Sequence, residues 1–165
     1  MTYSIDIQND ALAVPDATRL EQAVITVLDQ HDVDRNSGLT IVFTDDEVVR
    51  KLNLQHRKID APTDVLSFPA DPLPEYVTDE PPYLGDLVIA YPYAVDQAEK
   101  LQHNLNDSLC LLLIHGTLHL LGYDHDTPQN RAEMWSAQAD ALQAMQIDTR
   151  IVPALEGESD DEAHC

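Results

Sequence analysis

The sequence predicts an α+β domain with a mixed sheet of about four strands packed by five or so helices. Three observations predict it. Short β-rich runs alternate with segments of helical periodicity in the order βαβαββααα. The length of 165 residues suits one domain and one core, with no internal repeat. One later segment, residues 109–114, is apolar almost all round, as a helix buried at the centre of such a domain would be.

The elements follow in order. Residues 3–7 alternate apolar and polar and read as a strand. Thr18-x-x-Glu21 has the spacing of a capping box, and Leu20, Ala23, Val24, Val27 and Leu28 make the apolar stripe of the helix behind it. Ser37-Gly38 marks a turn into a strand over residues 39–43. Thr44-x-x-Glu47 is a second capping box, opening a helix expected to bury Val48, Val49 and Leu52. Residues 64–68 and 84–90 read as strands. Between them, residues 69–83 hold five of the ten prolines and four acids, the composition of an extended surface connection. A helix is expected over residues 92–102. Asn106 or Asp107 is placed to cap the next, and Gly122 to end it, since glycine takes a left-handed conformation without a Cβ clash. Thr127-Pro128 is an N-cap and N1 pair for a last helix running to about Met145. Residues 1–152 form the expected domain. Residues 153–165 form an acidic tail, expected to be disordered, with Glu156, Glu158, Asp160, Asp161 and Glu162 in its last ten positions.

The chain carries 30 Asp and Glu against 9 Lys and Arg, a formal net charge of -21. That charge disfavours general attraction to nucleic acid or to an anionic membrane. Four of the nine cations, Arg50, Lys51, Arg57 and Lys58, fall within nine residues, a cluster able to form a local anion site. There is no run of eighteen apolar residues and no signal-like start, so no membrane association is expected. Cys110 and Cys165 form no metal-like or redox pair; Cys110 is expected in the core, and the cytoplasm is the expected location.

The most specific segment is His115-Gly116-Thr117-Leu118-His119-Leu120-Leu121-Gly122-Tyr123-Asp124-His125. His115 and His119 stand at i and i+4 and share a helix face. A turn at Gly122 can return His125 toward them. Three neutral imidazoles meeting at one point suit a catalytic zinc site on a central helix and its following turn, with a fourth position open to water. The spacing is that of the metzincin signature H-E-x-x-H-x-x-G-x-x-H, with Gly116 where a peptidase carries its glutamate base. The metal frame without that base argues against peptide hydrolysis. Nickel or copper would suit the same donors.

These residues resemble the endoribonuclease YbeY family, also described as bacterial rRNA maturation factors. An upstream block supports the resemblance: Leu52-Asn53, Arg57, then Asp60-x-Pro62-Thr63-Asp64-Val65-Leu66-Ser67-Phe68-Pro69, with Gly85-Asp86 opening the strand before the histidine helix. The resemblance covers residues 40–135. It implies a zinc-dependent, single-strand-specific endoribonuclease acting in 16S rRNA 3′-end maturation and ribosome quality control. One Zn2+ per chain would be held by His115, His119 and His125, with Arg57 as a functional basic residue. Single-stranded RNA (a 16S rRNA precursor) and ribosomal proteins or small-subunit assembly factors are the implied partners.

A guanidinium fork suits the charge that builds at a phosphodiester during cleavage, and Arg57 is the candidate for it. Asp124 and Asp86 are candidates for the proton acceptor or for a hydrogen-bond partner of a ligand. Thr63 and Asp64 are expected to cap a turn. Tyr123 and Met134 are expected in the core, and His56 is the one further histidine with a place near the site. Two other functions stay open on sequence alone. One is a non-catalytic ribosome-binding or assembly factor. The other is a zinc hydrolase acting on something other than RNA.

Overall fold

The computed structural model describes residues 3–9, 16–71, 74, 76 and 81–151. The predicted order of elements is the observed one: β1 (Ser4–Asn9), α1 (Ala17–Gln30), β2 (Gly38–Thr44), α2 (Asp46–Arg57), β3 (Val65–Pro69), β4 (Tyr83–Ala90), α3 (Tyr91–Leu101), α4 (Leu105–Leu120) and α5 (Pro128–Ala144), with a single 3-10 turn at Thr149–Ile151. The expected acidic tail lies outside the described residues, as does part of the 69–83 connection.

The four strands stand in the order β1-β2-β4-β3. β1, β2 and β4 run parallel, and β3 pairs antiparallel with β4 at the edge, so the sheet is mixed. Successive side chains alternate across it. Leu39, Ile41 and Phe43 of β2 and Leu87 and Ile89 of β4 join the main core with the buried faces of α1, α4 and α5. Val88 and Ala90 belong instead to a smaller cluster with Leu66 and with Val49 of α2. Helices therefore cover both faces, α1 and α4 on one and α2 on the other.

α4 is the central element. All ten residues from Leu109 to Leu118 are buried, including His115, Gly116 and Thr117. Each fully buried leucine there contributes about 2 kcal/mol from removal of apolar surface from water. Cys110 is in this core, fully buried, and burial pushes its thiol up to about 12. No helix among the described residues is long and apolar enough to cross a membrane.

The caps differ from those expected. α4 is capped by Asn104, whose side chain accepts from the Asp107 backbone N–H at 3.1 Å, rather than by Asn106 or Asp107. α1 is capped by Asp16 through the Arg19 N–H and α2 by Asp45 through the Val48 N–H, rather than by Thr18 and Thr44. Each true cap leaves its partner at the third position on, the geometry that satisfies a free N–H of the first turn. α2 buries Val49, while Val48 stays 41% exposed. Adjacent helix positions point about 100° apart, so Val49 takes the inner face and Val48 the outer. Thr127 and Pro128 open α5 as expected, with the Thr127 hydroxyl accepting from the Asn130 N–H at 3.0 Å.

Candidate metal centre

The centre is built by α4 and the turn after it. His115 and His119 occupy one face of the helix, a turn apart. The helix ends at Leu121, and Gly122 follows with φ of +105°, the conformation expected of it. The Gly122 N–H donates to the His119 carbonyl and the Tyr123 N–H to that of Leu118, so the chain reverses and returns His125 to the pair. One donor atom from each of the three histidines lies within 4.8 Å of the others, a group that could hold a metal ion.

The ring hydrogen bonds decide which nitrogens face inward. His119 Nδ1 lies 2.9 Å from the Tyr123 backbone oxygen, which can only accept, so Nδ1 carries the proton. Burial first, then the neighbouring His115 and His125 and the charge of Arg57, hold His119 neutral, its pKa lowered to about 2 against the opposing pull of the Tyr123 carbonyl. A neutral ring with Nδ1 protonated presents a lone pair at Nε2. His115 Nδ1 lies 2.6 Å from Gln138 Oε1, which orients that ring the same way. His115 Nε2 and His119 Nε2 then face each other at 3.2 Å. Two lone pairs at that separation repel unless a positive centre lies near both. With a third imidazole beside them and no carboxylate in the group, the donor set fits a borderline-soft cation of the zinc, nickel or copper kind.

The surrounding shell holds each ligand-type ring. The Tyr123 hydroxyl lies 2.9 Å from His31 Nε2, and His31 Nδ1 lies 2.8 Å from the Val27 carbonyl, tying the turn to the end of α1. Trp135 of α5 packs edge-to-face on both His115 and His125, at centroid distances of 5.9 and 5.8 Å. Gln138 is fully buried, and its Nε2 has no hydrogen-bond partner. Sequence reasoning missed Trp135 and Gln138. Arg131, Trp135 and Gln138 stand at i, i+4 and i+7 on one face of α5, but that spacing does not say which helix the face meets.

Arg57 is the last residue of α2, which covers the sheet face opposite α1, and its charge reaches His119. The upstream block braces that helix end. Asn53 Nδ2 donates to the Ala61 carbonyl at 2.8 Å, and Arg50 bonds both Glu47 and Asp60, holding the chain between α2 and β3. His56 packs edge-to-face on Phe68 of β3 at 5.0 Å. Asp64 is buried and accepts from the Val65 N–H at 2.7 Å. Asp86 accepts from the Tyr83 hydroxyl and follows the alternation to the sheet face away from α4, which removes it from the candidates beside the histidines. Asp124 accepts from the His125 N–H at 2.8 Å and so stiffens the ligand-bearing turn. Met134 is fully buried within α5 and belongs to the core.

Gly116 is a packing position. A Cβ there would stand 2.8 Å from Leu87 Cδ2 and 3.2 Å from Ser67 Oγ, whose hydroxyl donates to the Gly116 carbonyl at 3.3 Å. The sheet fills the space that a glutamate would need.

A family model described as Endoribonuclease YbeY matches residues 4–146. Among the similar proteins named Endoribonuclease YbeY, that of Roseiflexus castenholzii is 43% identical over 136 residues, covering 81% of this chain and 86% of its own length. That of Thermobifida fusca is 39% identical over 142 residues, covering 84% and 92%. A solution structure of a Thermotoga maritima protein superposes with a TM-score of 0.59 at 24% identity, covering 91% of this chain and 94% of that one, and shares the fold.

Proposed function

The chain belongs to the endoribonuclease YbeY family, and on that footing we propose that it is a zinc-dependent endoribonuclease acting on single-stranded RNA. Its work would lie in maturing the 3′ end of 16S rRNA and in ribosome quality control, in the cytoplasm, beside ribosomal proteins or small-subunit assembly factors. The single observation that carries the reading is the convergence of His115, His119 and His125 in a chain whose relatives bear the name endoribonuclease.

His115, His119 and His125 would hold one Zn2+. When bound, zinc supplies a Lewis acid for a phosphoryl oxygen and makes hydroxide available near pH ~7. The protein's own residues do the rest. The Tyr123 carbonyl and the Gln138 amide fix the two helical imidazoles with Nε2 inward. Arg57, carried on the braced end of α2, binds the phosphodiester and offsets the negative charge that develops on its oxygens. Gly116 leaves the helix without a carboxylate base at the peptidase position, and any side chain there would meet Leu87 and Ser67 of the sheet. That packing favours the nuclease over a peptidase.

The test is incubation of zinc-loaded protein, and of His119→Ala, with single-stranded and duplex RNA of one sequence. Cleavage of the single strand alone, lost in His119→Ala, is expected. A protein that binds RNA or ribosomal proteins without cutting would transfer the reading to the non-catalytic assembly role.

A further inference from the structure

Arg131, on α5, stands close to the histidine group in a chain that carries a net charge of -21. Arg19, Arg35, Arg50 and Arg150 each pair with a carboxylate, as does Lys100. Arg131 instead lies over the face of Trp135, with its Cζ 5.3 Å from the ring centroid. That ring is the one whose edge touches His115 and His125. The nearest acid in sequence on α5, Glu133, is two positions on and faces another way, lining a cleft with Asp124 and Asn130. A guanidinium stacked on an aromatic keeps its in-plane N–H donors available for a bidentate oxyanion. At physiological salt the screening length is ~8 Å, so the many distant acids count for little at this point and the local cation decides.

We propose that Arg131, held on Trp135, is a phosphate-binding subsite of the RNA cleft, taking a phosphodiester that flanks the one at the histidine cluster. The subsite rests on the endoribonuclease reading. It divides the work between two cations. Arg57 serves the bond that is cut, and Arg131 fixes the register of the strand beside it. Trp135 is the only tryptophan of the chain and couples the two places, because one ring both supports the guanidinium and walls the imidazoles.

The experiment measures affinity for a fluorescent single-stranded RNA across a salt series, and single-turnover cleavage at saturating enzyme, for zinc-loaded parent, Arg131→Gln, Arg131→Lys and Lys100→Gln. Arg131→Gln should bind on the order of fivefold more weakly at low salt. Its plot of log affinity against log salt should be shallower by about 0.7, the share of one neutralised phosphate on a single strand. Its zinc content should stay near the parent's, and its loss should appear in affinity more than in the cleavage rate at saturation. Arg131→Lys keeps the charge and should keep the parental slope with an intermediate affinity, and Lys100→Gln should match the parent. Parental affinity and slope in Arg131→Gln overturn the subsite, as does an equal loss in Lys100→Gln, which would mark a general field effect. A parent that neither binds nor cuts RNA overturns the endoribonuclease reading itself, and the subsite with it.

Discussion

Gln138 reaches His115 from a different helix: its Oε1 lies 2.6 Å from Nδ1 across 23 residues of chain. The amide is fully buried, so this hydrogen bond fixes both the tautomer and the tilt of the ring. Gln138→Ala should lower zinc affinity by about ten- to a hundredfold, the usual effect of removing such a partner. Gln138→Glu, which keeps an acceptor and adds charge, should recover most of it. Competition with a chromogenic chelator reads both. Equal affinity in all three proteins would make Gln138 a packing residue.

Gly116→Glu restores the peptidase signature in letters only. Its Cβ would stand 2.8 Å from Leu87 Cδ2, and its carboxylate would enter the interface between α4 and the sheet. The expected outcome is a loss of about 3 kcal/mol or more of stability, and no turnover of casein. Denaturant unfolding and a peptide-library digest check the two halves separately.

Arg57→Ala should slow single-turnover RNA cleavage by about a hundredfold, the scale for loss of one transition-state donor. Zinc content should not change, because Arg57 is not a donor in the histidine group. A cleavage rate equal to the parent's at saturating enzyme would move the phosphate role to another residue.

Cys110 should be inert in the folded protein. Burial raises its pKa to about 12, and the thiolate is the reactive form. In a Cys165→Ser background, a disulfide reagent at pH 8 should find essentially no thiol until denaturant is added, and one afterwards. Fast labelling without denaturant would show that α4 opens locally.

Much of this molecule was legible because its signals are local. The histidine spacing needs only a helix and a turn, and Gly122 has the positive φ that the turn requires. The caps slipped by one to three positions where several cap-forming side chains stand close together. Asn104, Asn106 and Asp107 all qualify by type, and only the extended backbone at Asn104 selects one. Val48 and Val49 are neighbours on the helix, and packing decides which of them faces the core. Trp135 and Gln138 escaped for another reason. Their meaning lies in contacts with His115 that cross from α5 to α4, and no spacing rule reports a contact between two helices. The strand order, with β4 inserted between β2 and β3, was likewise set by packing that the linear pattern does not encode.

The donor group of this centre spans only eleven residues of chain. Closing so short a loop takes little entropy, and a partly helical denatured segment would still bring His115 and His119 to one side. The unfolded chain would then keep some affinity for such an ion. By linkage, ligand binding stabilises a fold only to the extent that the native state binds more tightly than the denatured one. Zinc should thus raise the melting temperature by less than its native affinity alone would give.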